Sequence, residues 1–317
     1  MTPLAIVAIS ALVLGAGTPL VLRHLRGLEH WPTLSAWLWL ATSLGALAAV
    51  ALTGLLLLLP TGPLGTSAAE LLRTCVMLLR AALSTPHDSG TDTVAGLLAV
   101  AAVAGGFLLG GCMIGLRASR ATRRHRELLA LAGRSAAGLP GVTMLQHERP
   151  FAYCLPGRPG PVVLSSAALG HLQAGQLAAV LAHERAHQTG RHHRLVQVAQ
   201  VLRVGFPWLP AARLGYQAVA RLVELAADDT AARTQGRRQV AAALAALGDT
   251  QVPTSALGAT GVSAGERIRR LVAPRQHGGA LTLLAGLLML GLPIAAIVVA
   301  VVLPLAQVAG VLVCPLG

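Results

Sequence analysis

Apolar residues run along this chain in long blocks, not in the three-and-four spacing of a surface helix. Residues 3–22, 33–59, 93–116 and everything after His277 contain no Asp, Glu, Lys or Arg. A helix needs about 20 residues to cross a hydrocarbon layer roughly 30 Å thick, so the blocks predict four transmembrane helices. The last block exceeds one crossing and holds Pro293 and Pro304, which predicts a kinked, tilted or partly re-entrant span. No basic residue precedes the first block, so it reads as an uncleaved anchor.

Between the blocks the pattern changes. Within the 60–92 loop, residues 67–83 have apolar positions at helical spacing and predict an amphipathic surface helix. Residues 142–145 and 162–164 are the best strand candidates, separated by the Pro/Gly-rich segment 156–161, and predict a hairpin or small sheet. Helices follow over 174–187, 194–204 and 212–233, with Ser165-Ser166 as a cap upstream and Gly190 as a stop. Phe206-Pro207-Trp208-Leu209-Pro210 breaks the second from the third, and reads as a buried corner in preference to a dip into the membrane surface through Trp208.

Composition agrees with the blocks: 54% of the 317 residues are hydrophobic and only 12% charged, against about 25% charged in soluble domains. The net charge of +13 sets an orientation. Arg23 and Arg26 follow the first block, five arginines between Arg117 and Arg126 follow the third, and Arg267, Arg269, Arg270 and Arg275 precede the fourth. By the positive-inside rule the amino terminus and the 60–92 loop lie outside and residues 117–277 lie in the cytoplasm. The expected organisation is a membrane region over 1–116, a cytoplasmic domain over 117–277 and a membrane helix within 278–317. Aromatic residues are too few to interleave with the arginines as base-stacking platforms, so the basic tracts imply the lipid bilayer and not nucleic acid as partner. Cys75 and Cys314 both fall outside in this topology and would be placed to bridge.

The candidate chemistry is concentrated in His183-Glu184-Arg185-Ala186-His187, an H-E-x-x-H pattern in a predicted helix. From the His and Glu content the pattern should arise by chance only about 0.008 times, so coincidence is a weak rival. Residues four apart share a helix face, so both imidazoles can reach one metal ion while Glu184 takes a proton from a water held there. The chemistry these residues imply is zinc-assisted peptide hydrolysis.

A hydrolytic zinc site needs a third protein ligand, and two candidates stand out. His193 completes H-E-x-x-H-x-x-G-x-x-H through Gly190, but that arrangement requires a methionine turn downstream, and the next methionine is Met289, inside a predicted span. Glu224 lies on its own predicted helix, with Asp228 one turn on to accept a hydrogen bond from His183 or His187. Glu224 is therefore the expected ligand and Asp228 its supporting acid. Asp229 points elsewhere; His192 and His193 read as bystanders or substrate-side groups. Tyr216, His192, His193 and Arg191 are unranked candidates for stabilising an oxyanion.

Arg149-Pro150-Phe151-Ala152-Tyr153-Cys154, the H-E-x-x-H helix, Phe206-Pro207-Trp208-Leu209-Pro210 and Glu224-Leu225-Ala226-Ala227-Asp228-Asp229 together resemble peptidase family M56, the BlaR/MecR antirepressor group, a relative of family M48. The specific likeness covers about residues 140–235; three spans before the site and one after fit M56, whereas M48 members typically place two on each side. The resemblance implies a mainly α integral membrane protein with a gluzincin-like α+β zinc metallopeptidase domain. It further implies His183, His187 and Glu224 as zinc ligands, Glu184 as general base, and cleavage of a cytoplasmic protein such as a winged-helix-type transcriptional repressor. Two departures are expected to matter. No penicillin-binding sensor domain follows the fourth block, and Arg191-His192-His193-Arg194 replaces the Arg and Asp that many members carry there. The alternatives are a membrane quality-control protease like those of M48 and a catalytically idle membrane sensor.

Overall fold

The computed structural model describes residues 3–58, 90–157, 160–248, 263–274 and 279–308. The expected amphipathic helix at 67–83 and the Cys75–Cys314 pairing lie outside these residues.

Among the described residues, four helices are long and apolar enough to cross a membrane: Leu4–Leu22, Pro32–Leu58, Thr91–Ala132 and Ala280–Val299. The first is α1 (Pro3–Leu12) and α2 (Thr18–Leu22), joined by a π-helical turn at Val13–Gly17; a 3-10 turn at Arg26–His30 leads into α3 (Pro32–Leu58). α4 (Thr91–Ala132) runs without a break from the third apolar block through the basic tract, for about 63 Å at 1.5 Å per residue. Its apolar half packs on α3 and its polar half on a small sheet.

That sheet has β1 (Gly133–Ser135), β2 (Val142–Leu145), β3 (Ala152–Cys154) and β4 (Val162–Ser165) in the order β1-β2-β4-β3. The two expected strands are present, but as parallel neighbours with Val142 opposite Val162; the hairpin is β3–β4, antiparallel across the Pro/Gly segment. The side-chain period of two divides β4 between two cores. Val162 and Leu164 face the helices that carry the candidate site, and Val163 faces Phe151, Tyr153 and the Leu129 side of α4. His125 on α4 hydrogen-bonds Tyr153 of β3, and Arg126 donates to the Pro156 carbonyl at 2.6 Å. The polar end of α4 is thereby fastened to the edge strand.

Ser165 ends the sheet and caps α5 (Ser166–His171), its hydroxyl accepting from the Ala168 amide. Next come α6 (Ala174–Thr189), α7 (His192–Gly205), α8 (Pro210–Gln235), α9 (Arg237–Leu247), α10 (Ala264–Val272) and α11 (Gly279–Val308). The Phe206–Pro210 break is half buried. Phe206 and Leu209 are enclosed, as expected, but Trp208 is exposed.

α7 and α8 do not pack as a separate globule. One core joins Leu14, Ala46, Leu47 and Val103 of the long apolar helices to Ala199, Leu202, Phe206, Leu209, Ala212 and Val219 of α7, α8 and the corner between them. Glycine makes the approach possible: a Cβ on Gly110 would lie 2.5 Å from the Val201 carbonyl oxygen, and one on Gly106 would strike the Phe206 ring. Gly111, next along α4, faces open space. Gly110→Ala should therefore lower stability by about 1–3 kcal/mol in thermal unfolding, from forced separation of α4 and α7. Gly111→Ala should be neutral or stabilising, because alanine is the better helix former. Equal effects at both positions would remove the packing argument.

Candidate metal centre

α6 presents His183 and His187 one turn apart, and α8 crosses it with Glu224 and Asp228, also one turn apart. His183, His187 and Glu224 form a cluster able to hold a metal ion. The two imidazole Nε2 atoms are 3.0 Å apart, and they lie 3.6 and 3.5 Å from the two Glu224 carboxylate oxygens. Ligand atoms about 2.0–2.1 Å from a tetrahedral zinc are about 3.3–3.4 Å from one another, so this triangle has the size zinc requires. Among the described residues, the group that could hold an ion has Glu224 and not His193 as its third member.

Each ligand is held from behind. Asp228, fully buried, sits 3.0 Å from His183 Nδ1, so the ring presents Nε2 to the cluster. His187 Nδ1 is 3.0 Å from His192 Nδ1. His192 is buried against His187, where it can orient that ring. Two residues of the intervening turn bring it there. Arg191 adopts φ 50°, and a side chain on Gly190 would collide with the His192 ring. Asp229 faces away and pairs with Arg270 at 2.7 Å. Tyr216 lies in the core shared with the long apolar helices, with Arg203 over its ring at 4.5 Å.

Sequence reasoning missed Arg267, which it counted only as a membrane-flanking charge. From α10 its guanidinium donates to both Asp228 oxygens at 2.8 and 2.6 Å and lies 3.1 Å from Glu224 Oε2. Arg270, one turn on, takes Asp229 in the same two-pronged way. The only signal was this one-turn spacing of two arginines, matched to the adjacent acids Asp228-Asp229.

The charges settle accordingly. Burial raises the pKa of Asp228 and Glu224. For Asp228 this is outweighed by the hydrogen bonds from Arg267 and His183, and for Glu224 by the neighbouring His187 and His183 imidazoles and Arg267, so both stay ionised. Burial lowers His183, but Asp228 and Glu224 carry it back up to about 9. His187, for which burial dominates, falls to about 3. Burial raises Glu184, chiefly against the opposing charge of His183. Burial, and then the charge of the nearby Glu184 carboxylate, push the Cys154 thiol up.

A proton on His183 and none on His187 means that zinc binding near pH 7 should release about one proton. Below the raised His183 value each fall of one pH unit should then weaken binding about tenfold, because the proton competes for the same nitrogen. Calorimetric titration with zinc in buffers of different ionisation heat counts the protons, and two or none would contradict the assignment. Arg267→Met leaves Asp228 and Glu224 without their cation and should cost about 3–5 kcal/mol in chemical unfolding. Arg267→Lys should recover part of this, since an ammonium cannot grip both Asp228 oxygens.

No curated protein and no solved structure matches the chain. A model of peptidase family M48 matches residues 118–275, a region that holds the sheet, the H-E-x-x-H helix, Glu224, Asp228 and Arg267. Over residues 118–275, just under half of its length, the chain is thus similar to peptidase family M48.

Proposed function

We propose that this protein is a membrane-embedded zinc metalloendopeptidase, with its amino terminus outside and its peptidase region facing the cytoplasm. The observation that carries the reading is the zinc-sized triangle of His183, His187 and Glu224, with Glu184 beside the first ligand on the same helix. Zinc held by these ligands supplies Lewis acidity to water and to the scissile carbonyl. Glu184 takes the proton of the attacking water and delivers it to the leaving amine; its burial moves it toward the range useful to a base at neutral pH. Asp228 fixes the His183 ring, and Arg267 fixes Asp228. β3, at the sheet edge and against α6, offers unpaired main-chain groups to an extended substrate.

Two biological roles have support. The family M48 match favours a membrane quality-control protease. Three apolar helices before the site and one after favour an M56-like regulator that cuts a cytoplasmic transcriptional repressor of the winged-helix type. Protein abundances compared with and without active enzyme separate them: one vanished repressor supports regulation, whereas many membrane-protein fragments support quality control.

Glu184→Gln should lower proteolysis by about 10²–10⁴-fold while zinc content stays at that of the unaltered protein. Retained cleavage would remove Glu184 as base.

A further inference from the structure

We propose that α7 and α8 form a re-entrant hairpin inserted about halfway into the bilayer, with the Phe206–Pro210 corner in contact with lipid acyl chains. The inference rests on the membrane part of the reading above and adds a fifth element to the four spans.

Three helices give the corner the same depth. On α4, Gly106 meets Phe206 and Gly205. It lies eleven residues before Arg117, the first charge past the apolar block, or about 16 Å at 1.5 Å per residue. A Cβ on Gly15, within the π-helical turn, would lie 2.9 Å from the Leu209 side chain. Gly15 is eight residues before Arg23, or about 12 Å. That same Cβ would lie 3.7 Å from Ala46. Ala46 follows the exposed Trp37 by nine residues, or about 14 Å, and Trp31 and Trp37 stand where an aromatic belt marks the membrane surface. Half of a hydrocarbon layer about 30 Å thick is about 15 Å. The corner thus sits near the centre of the layer these helices span, and Trp208, 57% exposed at its apex, meets whatever fills that layer.

Irregular backbone at such depth must be covered by protein, and here it is: the Leu209 amide donates to the Phe206 carbonyl, and both side chains are enclosed. Two exposed cations lie near the tip, Arg203 and Arg213. The Arg203 guanidinium is drawn over the Tyr216 ring, about 9 Å back from Pro210 along α8, so its charge points to the polar side as a snorkelling side chain does. Arg213 has a stem of the same length. Glu224 lies fourteen residues from Pro210, or about 21 Å. The metal centre therefore falls about one helical turn beyond the hydrocarbon boundary, on the side where α4 turns basic.

The test uses the full chain in vesicles of phosphatidylcholine and phosphatidylglycerol whose acyl chains carry bromine, a tryptophan quencher, either near the headgroup or near the chain end. Trp31, Trp37 and Trp39 are replaced by Phe, leaving Trp208 alone. Deep bromine should quench Trp208 about twofold more than shallow bromine, and aqueous iodide should leave it unquenched. Quenching by iodide with no effect of deep bromine overturns the proposal. A companion protein with Leu108→Trp as its sole tryptophan, on the exposed face of α4, separates the two failures. If lipid quenches that position but not Trp208, the hairpin alone is refuted; if it quenches neither, the membrane reading falls with it. Should the triple replacement fail to fold, the same quantities come from the difference between the intact protein and Trp208→Phe.

Discussion

Two ionised carboxylates on one buried helix face constrain the rest of the peptidase region. Glu224 and Asp228 are enclosed on α8, where an unpaired charge costs several kcal/mol. The imidazoles answer part of that charge and Arg267 the remainder. α10 is held in place for the same reason. Its Arg267 and Arg270 close on Asp228 and Asp229, and its Glu266 meets Arg221, which also holds Glu29 ahead of α3. The polar contacts that position the metal ligands thus also tie the carboxyl-terminal part of the domain to the first loop between the long apolar helices.

A second constraint is the absence of side chains along the α4–α7 seam. Gly106, Gly110 and Gly205 let two backbones come within direct contact, so that buried residues of α7 and α8 share one core with the long apolar helices. The consequence reaches the site, because α7 begins with His192, which touches His187, and α8 carries Glu224. His192 and Glu224 are thus carried by helices that the apolar bundle grips.

Local patterns carried much of this into the sequence. Charge-free blocks become helices because only length and apolarity are needed, and the His183/His187 and Glu224/Asp228 pairs are readable because four residues make one turn. The remainder depended on tertiary placement. β1 and β3 are three residues long, too short to show an alternation. Arg267 is 84 positions from His183 and sits among arginines whose collective effect is topological. The contact of His192 with His187 depends on a left-handed residue, Arg191, that no propensity favours, and on Gly190, which ends α6 as expected and also admits the His192 ring. The parallel pairing of β2 with β4 required knowing that β3 closes the hairpin instead.

α4 passes from its apolar to its basic half with no proline and no interruption, and β1 begins at the residue after it ends. A flexible linker would let a catalytic domain swing beneath its anchor; a continuous hydrogen-bonded helix makes it a cantilever. With His125 and Arg126 riveting that beam to β3 and its loop, a tilt of about 5° acting over about 40 Å would carry the docking edge of the sheet sideways by about 3–4 Å. On the proposed reading, thinning or stretching the lipid around α4 would act mechanically on the edge offered to substrate.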